Sequence, residues 1–337
     1  MKQIVIIGGG VAGLSALNSL ADLGMAAVLI EGGEYPAHKV CGEFISPESL
    51  PILANWNIYP PAEINRISLT SNTSSLSFAL FEPAKSYSRY DFDLCLANRA
   101  REKGSQILTK TQVIKIEKNR IHLDNGEVVF YSDLIVSAGR FFGRVSPPQY
   151  YGIKGHLQGL SVKNHLEMFP FKGGYAGLSP IDDDYANFAC LIHKSNHTLP
   201  TPLQSVFYLA PQLEKRLESA ALLFKEWMVC PVPAFGMKKT ASLANTYFIG
   251  DAGGTIPPAS GLGLSLAITS GYMVAEYALK GDYLSFQKAW KKKYRKVFYY
   301  GQCLHRMMMN PILFHSGIEI GKIFPKMAPQ LFKKTRY

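Results

Sequence analysis

The sequence predicts an α/β protein: a parallel-sheet domain opened by a glycine-rich turn, an inserted β-sheet domain, and a helical C-terminal tail. Three observations carry that prediction. A short β-branched strand runs straight into Gly8-Gly9-Gly10-Val11-Ala12-Gly13 and then into a helical stretch. A second glycine-rich loop follows a strand near residue 250. The segment from residue 285 onward holds the whole net charge.

Composition sets the limits. The 337 residues are 47% hydrophobic and 18% charged, enough for about two domains of roughly 150 residues each. Disorder and a small disulfide-stapled scaffold are excluded. The 29 Gly and 20 Pro follow no period, which excludes collagen-like and coiled-coil chains. No uninterrupted run approaches the ~20 apolar residues that cross a bilayer. The cysteines, Cys41, Cys95, Cys190, Cys230 and Cys303, are scattered without a C-x-x-C pair. Neither a zinc site nor a disulfide framework is expected, and a reducing cytoplasm is the expected setting. Met1-Lys2 ahead of Ile4–Ile7 has the look of a signal peptide, but the run stops at Gly8-Gly9-Gly10 and reads as a buried strand.

The first element is strand Ile4–Ile7, then G-x-G-x-x-G, then a helix over Leu14–Leu23, then strand Ala27–Ile30 ending in Glu31. Gly8 allows a tight turn, Gly10 lets a pyrophosphate approach the backbone, and Gly13 lets the helix sit close on the sheet. The first helical residues, Val11 and Ala12, offer unpaired N–H groups to phosphate. Glu31 suits the ribose hydroxyls of an adenosine. This is a Rossmann-like dinucleotide site, and these residues leave NAD and FAD both open.

The far end decides between them. Strand Asn245–Ile249 runs into Gly250-Asp251-Ala252-Gly253, then Pro257-Pro258-Ala259-Ser260-Gly261-Leu262-Gly263, then a helix over Leu264–Leu279. An Asp at a strand end hydrogen-bonds a polyol, and a helix N-terminus faces an anion. Flavin offers both in its ribityl chain and its N1–C2=O edge. FAD is therefore expected, held in part by Gly250, Asp251, Pro258, Gly261, Leu262 and Gly263.

G-D-A followed by P-x-x-G-x-G resembles the second FAD fingerprint of the flavoprotein superfamily of aromatic hydroxylases, flavin halogenases and geranylgeranyl reductases, with its p-hydroxybenzoate hydroxylase-like fold. Ser88-Arg89-Tyr90-Asp91-Phe92-Asp93-Leu94 resembles the family's R-x-x-F-D-x-x-L, which places Arg89 at the FAD and a helix after it, with Asp93, Leu96 and Ala100 on the helix and a stop at Gly104. Gln112–Glu117 and Arg120–Leu123 resemble paired strands over the adenosine, joined through Asp124-Asn125-Gly126, and put Val113 at the cofactor. Ser132–Arg140 resembles the returning strand, with Ala138 and Gly139 at the FAD. That strand has no acid and is closer to the A-T-G-R type of reductases and halogenases than to hydroxylase A-D-G. The paired-Trp motif of tryptophan halogenases is missing.

Lys39-Val40-Cys41-Gly42-Glu43-Phe44-Ile45-Ser46-Pro47 resembles the reductases' K-x-C-G-G-x-L-S-P, with Glu43 in place of a glycine. The resemblance implies that Cys41 and Gly42 line the flavin. Gly174–Pro180 resembles their G-Y-x-W-x-F-P, with Gly177 and Ser179 replacing the aromatics. Cys41, Glu43 and Tyr175 are the candidate catalytic residues. Each has a plain alternative: a small buried hydrophobe, a salt bridge, a core aromatic. His38, His156, His165, His193 and His197 show no metal-ligand spacing, and no metal is expected.

The expected layout is an FAD-binding domain of residues 1–45, 86–148 and 240–284, a substrate domain of 46–85 and 149–239, and a basic amphipathic helical region of 285–337. The substrate sheet is expected from Ile64–Leu80 and Tyr151–Lys239, with a helix over Leu203–Phe224 whose Pro211-Gln212-Leu213 reads as a start. The tail holds twelve Lys or Arg and one acid, Glu319, hence the whole net charge of +11. Its bases alternate with Trp290, Tyr294, Phe298, Tyr299 and Tyr300. A solvated face on a packed helix and a surface for anionic lipid both remain open; no nucleic-acid signature accompanies it.

The expected function is an FAD-dependent oxidoreductase acting on a hydrophobic substrate, polyketide-, aromatic- or isoprenoid-like, by C=C reduction or monooxygenation. NAD(P)H or another reductant acts as a transient donor. Two alternatives stay open: a flavin halogenase, and a GDI-like lipid-binding protein on the same fold without catalysis.

Overall fold

The computed structural model of the chain describes residues 3–71, 73–141, 147–238 and 244–336. The expected domain limit at 239/240 and the Lys239 end of the second sheet lie outside the described residues.

The chain opens with β1 (Ile4–Ile7), α1 (Val11–Asp22) and β2 (Ala27–Ile30). Apolar β-branched strands buried on both faces are what a parallel sheet requires, and β1 is buried throughout. A short β3 (Phe44–Ile45) and α2 (Leu50–Asn55) lead to the long strands β4 (Ala62–Thr70) and β5 (Ser75–Ser86). The chain then returns through α3 (Arg89–Glu102), capped by the Ser88 side chain on Tyr90 N–H, to β6 (Gln106–Leu108). Gly104 stops α3 in a left-handed turn.

A three-stranded meander follows: β7 (Val113–Glu117), β8 (Arg120–Leu123) and β9 (Val128–Phe130). The Asp124-Asn125-Gly126 turn joins β8 to β9, not β7 to β8 as expected. Asn119, at φ 64°, turns the first hairpin. An Asn tolerates that conformation well enough to supply a turn that the stronger D-N-G signal obscured. Next, β10 (Asp133–Val136) completes the centre of the first sheet, whose order, with β18 (Thr246–Phe248), is β18-β10-β1-β2-β6, all parallel.

The second sheet takes β11 (Tyr150–Gln158), β12 (His165–Phe171), β13 (Gly174–Pro180) and β14 (Tyr185–His193). The helix expected over 203–224 is two helices, α4 (Pro202–Leu209) and α5 (Pro211–Leu217). Pro211 cannot donate into the preceding turn and disfavours helical geometry at Ala210; helix gives way to β15 (Ala221–Leu222). With β16 (Met228–Val232), the nine-stranded sheet, counted over the described residues, is complete.

After β17 (Gly236–Met237), β18 (Thr246–Phe248) and β19 (Gly254–Thr255), the chain ends in helices α6 (Gly263–Lys280), α7 (Tyr283–Met308), α8 (Pro311–Ile323) and α9 (Met327–Lys334). Helix α7 is amphipathic: Phe286, Trp290, Tyr294, Val297 and Phe298 are buried, while its bases lie largely on the other face. The aromatic residues of the basic tail are thus divided, Tyr299 and Tyr300 staying exposed. No helix among the described residues is long and apolar enough to cross a membrane.

Candidate functional site

Two uncapped helix starts meet at the top of the first sheet. Gly10 precedes the first residue of α1 and Leu262 that of α6, and neither helix has a side-chain cap or an acid in its first turn. Their first N–H groups and positive dipole ends are therefore available to an anion. Gly8, at φ 98°, makes the turn out of β1, and a Cβ there would sit 2.7 Å from Ala138 Cα. A Cβ at Gly13 would overlap Gly8 O. At Gly10, by contrast, the nearest atom to such a Cβ is the Arg89 guanidinium at 4.0 Å. The crowding is behind the loop and the space is in front of it, as a phosphate cradle needs.

The two fingerprints touch. A Cβ at Gly250 would meet Ala12 Cβ at 2.8 Å, and a Cβ at Gly271 would meet Ala12 O at 2.5 Å, so α6 crosses directly on α1. Arg89, tied to Asp93 by two hydrogen bonds of 2.6 and 2.5 Å, reaches over this junction. Asp251 lies in the cleft, its carboxylate 3.9 Å from Arg140. Burial raises its carboxyl, opposed by the charges of Arg140, Lys238 and Arg89. Glu31 sits at the mouth of the glycine loop, accepting from Gly9 N–H at 2.6 Å and Gly33 N–H at 2.9 Å. Tyr35, with no motif to mark it, packs its hydroxyl on Gly9 O at 2.6 Å. Val113 lies farther out, at the start of the meander behind Glu31. The residues present fit an extended dinucleotide: a phosphate cradle, an acid at one end, and a second helix start with Asp251 at the other.

The Cys41–Glu43 loop bridges the sheets. Asn187 donates to Cys41 O and Ser179 to Gly42 O, both at 3.2 Å. Cys41 and Gly42 line a cavity of about 310 Å³ together with Arg140, Pro258, Ser260 and Gly261. Away from that end the walls are apolar: Leu69, Leu76, Phe78, Met168 and Leu191 from the sheet, Met307, Met308, Phe314, Ile318, Leu331 and Phe332 from the C-terminal helices. Gly177, Ser179 and Tyr175 also line it.

Glu43 is placed differently from Cys41 and Tyr175. It is fully buried at φ 55°, where a side chain is strained, and it is not among the cavity's lining residues. That backbone geometry explains why a glycine suits the position. Its carboxylate is bound by Lys154 Nζ, lies 2.9 Å from His156 Nε2, and accepts from Arg89 N–H at 2.7 Å. Burial pushes the carboxyl up, but the hydrogen bond from His156 and the charge of Lys154 outweigh it and hold it below its usual range. Lys154 is itself fully buried. His38 stacks on Tyr90 at 4.6 Å and lies edge-on to His156. Burial, Lys154 and His156 lower it to about 4. His165 stands at the start of β12, His193 at the end of β14 edge-on to Tyr150, and His197 in the loop beyond it; no cluster of metal-ligating residues occurs among the described residues.

Sequence reasoning missed Lys154, His305 and Lys238, which reach the site from β11, α7 and the loop before β18. None belongs to a local motif, and no spacing could have found them.

No family model matches the chain. A menaquinone reductase of Mycolicibacterium smegmatis is 21% identical over 334 residues, spanning 86% of this chain and 79% of its own. A digeranylgeranylglycerophospholipid reductase of Methanococcus vannielii is 25% identical over 341 residues, 87% of this chain and 83% of its own. Among solved structures, a flavin-dependent brominase superposes with a TM-score of 0.81 at 16% identity, covering 98% of this chain and 93% of its own. A geranylgeranyl bacteriochlorophyll reductase-like protein of Thermoplasma acidophilum gives 0.78 at 19% identity, with 95% and 91% covered. At these identities the structures establish a shared fold.

Proposed function

We propose that this chain, an FAD-dependent oxidoreductase of the superfamily that joins geranylgeranyl reductases to flavin hydroxylases and halogenases, saturates a carbon–carbon double bond in a prenyl-bearing lipid. The observation that carries this is the cavity. It starts among Cys41, Gly42, Arg140 and Gly261, beside the Asp251 loop, and continues between apolar strands and helices to Leu331 and Phe332. A chain of isoprene units matches such a lining, and a sugar or free amino acid does not. The two relatives are reductases named for menaquinone and for a digeranylgeranyl lipid.

FAD held in this site would supply the hydride chemistry, with NAD(P)H or another donor as its source of electrons. Gly8, Gly10, Gly13, Glu31 and Arg89 would hold its adenosine diphosphate end, and Gly250, Asp251 and Gly263 its ribityl and ring end. Cys41 and Gly42 set the cavity's ring-side wall and exclude water there. Tyr175, the cavity residue whose hydroxyl already accepts Ala259 N–H at 3.0 Å, supplies the proton. Glu43 neutralises Lys154 behind the loop and keeps Cys41–Gly42 in place.

The same reading gives the substrate a route. Ile312, Ile323, Phe324 and Leu331 are 77, 70, 60 and 52% exposed, and Lys322, Lys326, Lys333 and Lys334 flank them. An apolar face rimmed by lysines suits an anionic bilayer surface, and Leu331 belongs to both the face and the cavity wall.

The test is a visible spectrum followed by turnover with NADPH and menaquinone-4, run anaerobically and, in parallel, in air. Flavin bands, and an anaerobic product that stays heavier by two hydrogens after its quinol has been reoxidised in air, support the reading. Substrate-dependent oxygen uptake with an oxygenated product replaces it by monooxygenation. Protein that neither carries nor takes up FAD, yet binds the quinone, points to the lipid-binding alternative. Cosedimentation with phosphatidylglycerol vesicles, lost in a Lys326→Glu/Lys333→Glu variant, tests the surface.

A further inference from the structure

A polar chain crosses the apolar wall of the cavity at one place. Tyr175 on β13 is 3% exposed, and His305 on α7 is 8% exposed. The Tyr175 hydroxyl lies 3.2 Å from His305 Nδ1, and His305 Nε2 lies 3.2 Å from the hydroxyl of Tyr150. Tyr150, at the start of β11, is only half-buried. Phe235 packs against both the Tyr150 ring and the His305 ring. Three hydrogen-bonding side chains therefore connect the cavity to half-buried Tyr150, whose ring also meets His193 edge-on.

We propose that His305 and Tyr150 form a proton relay that restores Tyr175 after it has protonated the substrate. The inference rests on the reductive reading above. Saturation adds a hydride, from the reduced flavin, to one carbon and a proton to the other. The proton leaves the Tyr175 hydroxyl as the new C–H bond forms. The phenolic oxygen takes the proton from His305 Nδ1, Nε2 takes one from the Tyr150 hydroxyl, and Tyr150 takes one from water, whose hydroxide stays in solvent; the imidazole, left with its proton on Nε2, returns to the Nδ1 tautomer before the next turnover. Every side chain ends neutral, and no charge is stranded in the cavity.

The environment suits each role. Burial holds the Tyr175 phenol above its ordinary value, so the proton leaves only as another arrives. Burial first, then the charges of Arg306 and His193, lower His305 to about 4. His305 is then a neutral imidazole near pH 7, with one donor and one acceptor nitrogen, as a relay needs. Ala259 N–H fixes the Tyr175 oxygen without competing for the relay's direction. His305 is a positioning and shuttling residue; Tyr175 alone touches substrate.

The first test needs neither substrate nor flavin: histidine 15N NMR of the full chain. His305 is expected to stay neutral from pH 5.5 to 8, with both nitrogens at shifts averaged between two tautomers. Tyr175→Phe is expected to lock the proton on Nε2, and Tyr150→Phe to lock it on Nδ1. A single tautomer that neither variant moves, or an imidazole titrating near its ordinary value, overturns the relay. The second test is turnover with menaquinone-4. His305→Gln keeps an amide donor and acceptor in place of the ring but cannot pass a proton, so kcat should fall about a hundredfold with KM held, and the solvent deuterium effect should rise. Unchanged kcat and isotope effect refute it. Failure of the wild-type chain to reduce any prenyl quinone sinks the reductive reading instead, and the NMR result separates the two failures.

Discussion

Glu43→Gln isolates the energetics of the buried charge cluster. The glutamine keeps the size and the strained φ of 55°, so the backbone cost is common to both proteins and cancels. What changes is the partner of Lys154, a fully buried ammonium bound to Glu43 and to no other carboxylate within salt-bridge distance among the described residues. Removing one member of a buried pair costs about 3–5 kcal/mol, because the other charge stays desolvated. The relieved strain of a glycine is smaller, about 1–2 kcal/mol, so Glu43→Gly should also be destabilised on balance. Urea unfolding followed by far-ultraviolet circular dichroism reads the loss as a lower midpoint. Adding Lys154→Met to Glu43→Gln removes the orphaned charge and should recover most of it. Single and double variants with the wild-type midpoint, or a double variant no better than the single, would refute the reasoning. The pH sign follows from the depressed carboxyl: the stabilisation is complete above the ordinary glutamate value near about 4.3 and lost as pH falls below it. The double variant should lack that steep acid limb.

Three further outcomes follow from the glycines. Gly10→Val has room for its Cβ, 4.0 Å from Arg89, so the protein should fold with near wild-type melting yet purify without flavin; a fully yellow variant would overturn the cofactor assignment. Gly271→Ala drives a methyl to 2.5 Å from Ala12 O and 2.6 Å from Ser15 Cβ, and backbone cannot turn aside as a side chain can. A loss of about 1–3 kcal/mol is expected, read as a lower melting temperature, and an unchanged melt would rule out the tight α1–α6 crossing. Gly177→Trp fills the cavity where only Met168 Sδ, at 3.1 Å from the Cβ position, must yield. Binding of menaquinone-4, followed by tryptophan quenching, should weaken at least about tenfold, a loss of about 1.4 kcal/mol; full affinity would place the lipid elsewhere.

The parts of the site that bind phosphate were legible because their chemistry is local. A turn that admits an anion, a free helix start and an acid at the next strand end lie within one stretch from Gly8 to Glu31. The Gly250–Gly263 segment is legible for the same reason. The cavity was not. Its walls come from strands β4, β5, β11 to β14 and β16 and from helices α7, α8 and α9, and only tertiary pairing brings Leu76 near Phe314. Glu43 was visible as an oddity, but its partners Lys154 and His156 stand on a strand more than a hundred positions away. His305 looked like one more residue of a basic helix. The misread stretch from 203 to 224 shows the limit within local reasoning too: Pro211 was recognised as a helix start, and its other effect, ending the preceding helix at Leu209, was not applied.

The order β18-β10-β1-β2-β6 has a consequence for how the chain is made. Ile4, at the centre of the first sheet, pairs with Asp133, and Leu134 pairs with Thr246. On the ribosome, β10 therefore emerges with one hydrogen-bonding edge open, and the whole second sheet must be synthesised before β18 arrives to close it. Contacts of such sequence separation form slowly, and an unpaired strand edge meanwhile invites foreign partners. Yield of native protein should thus depend on translation speed and temperature more than on the stability of the finished fold, with nascent chains halted between residues 136 and 246 the most prone to aggregate.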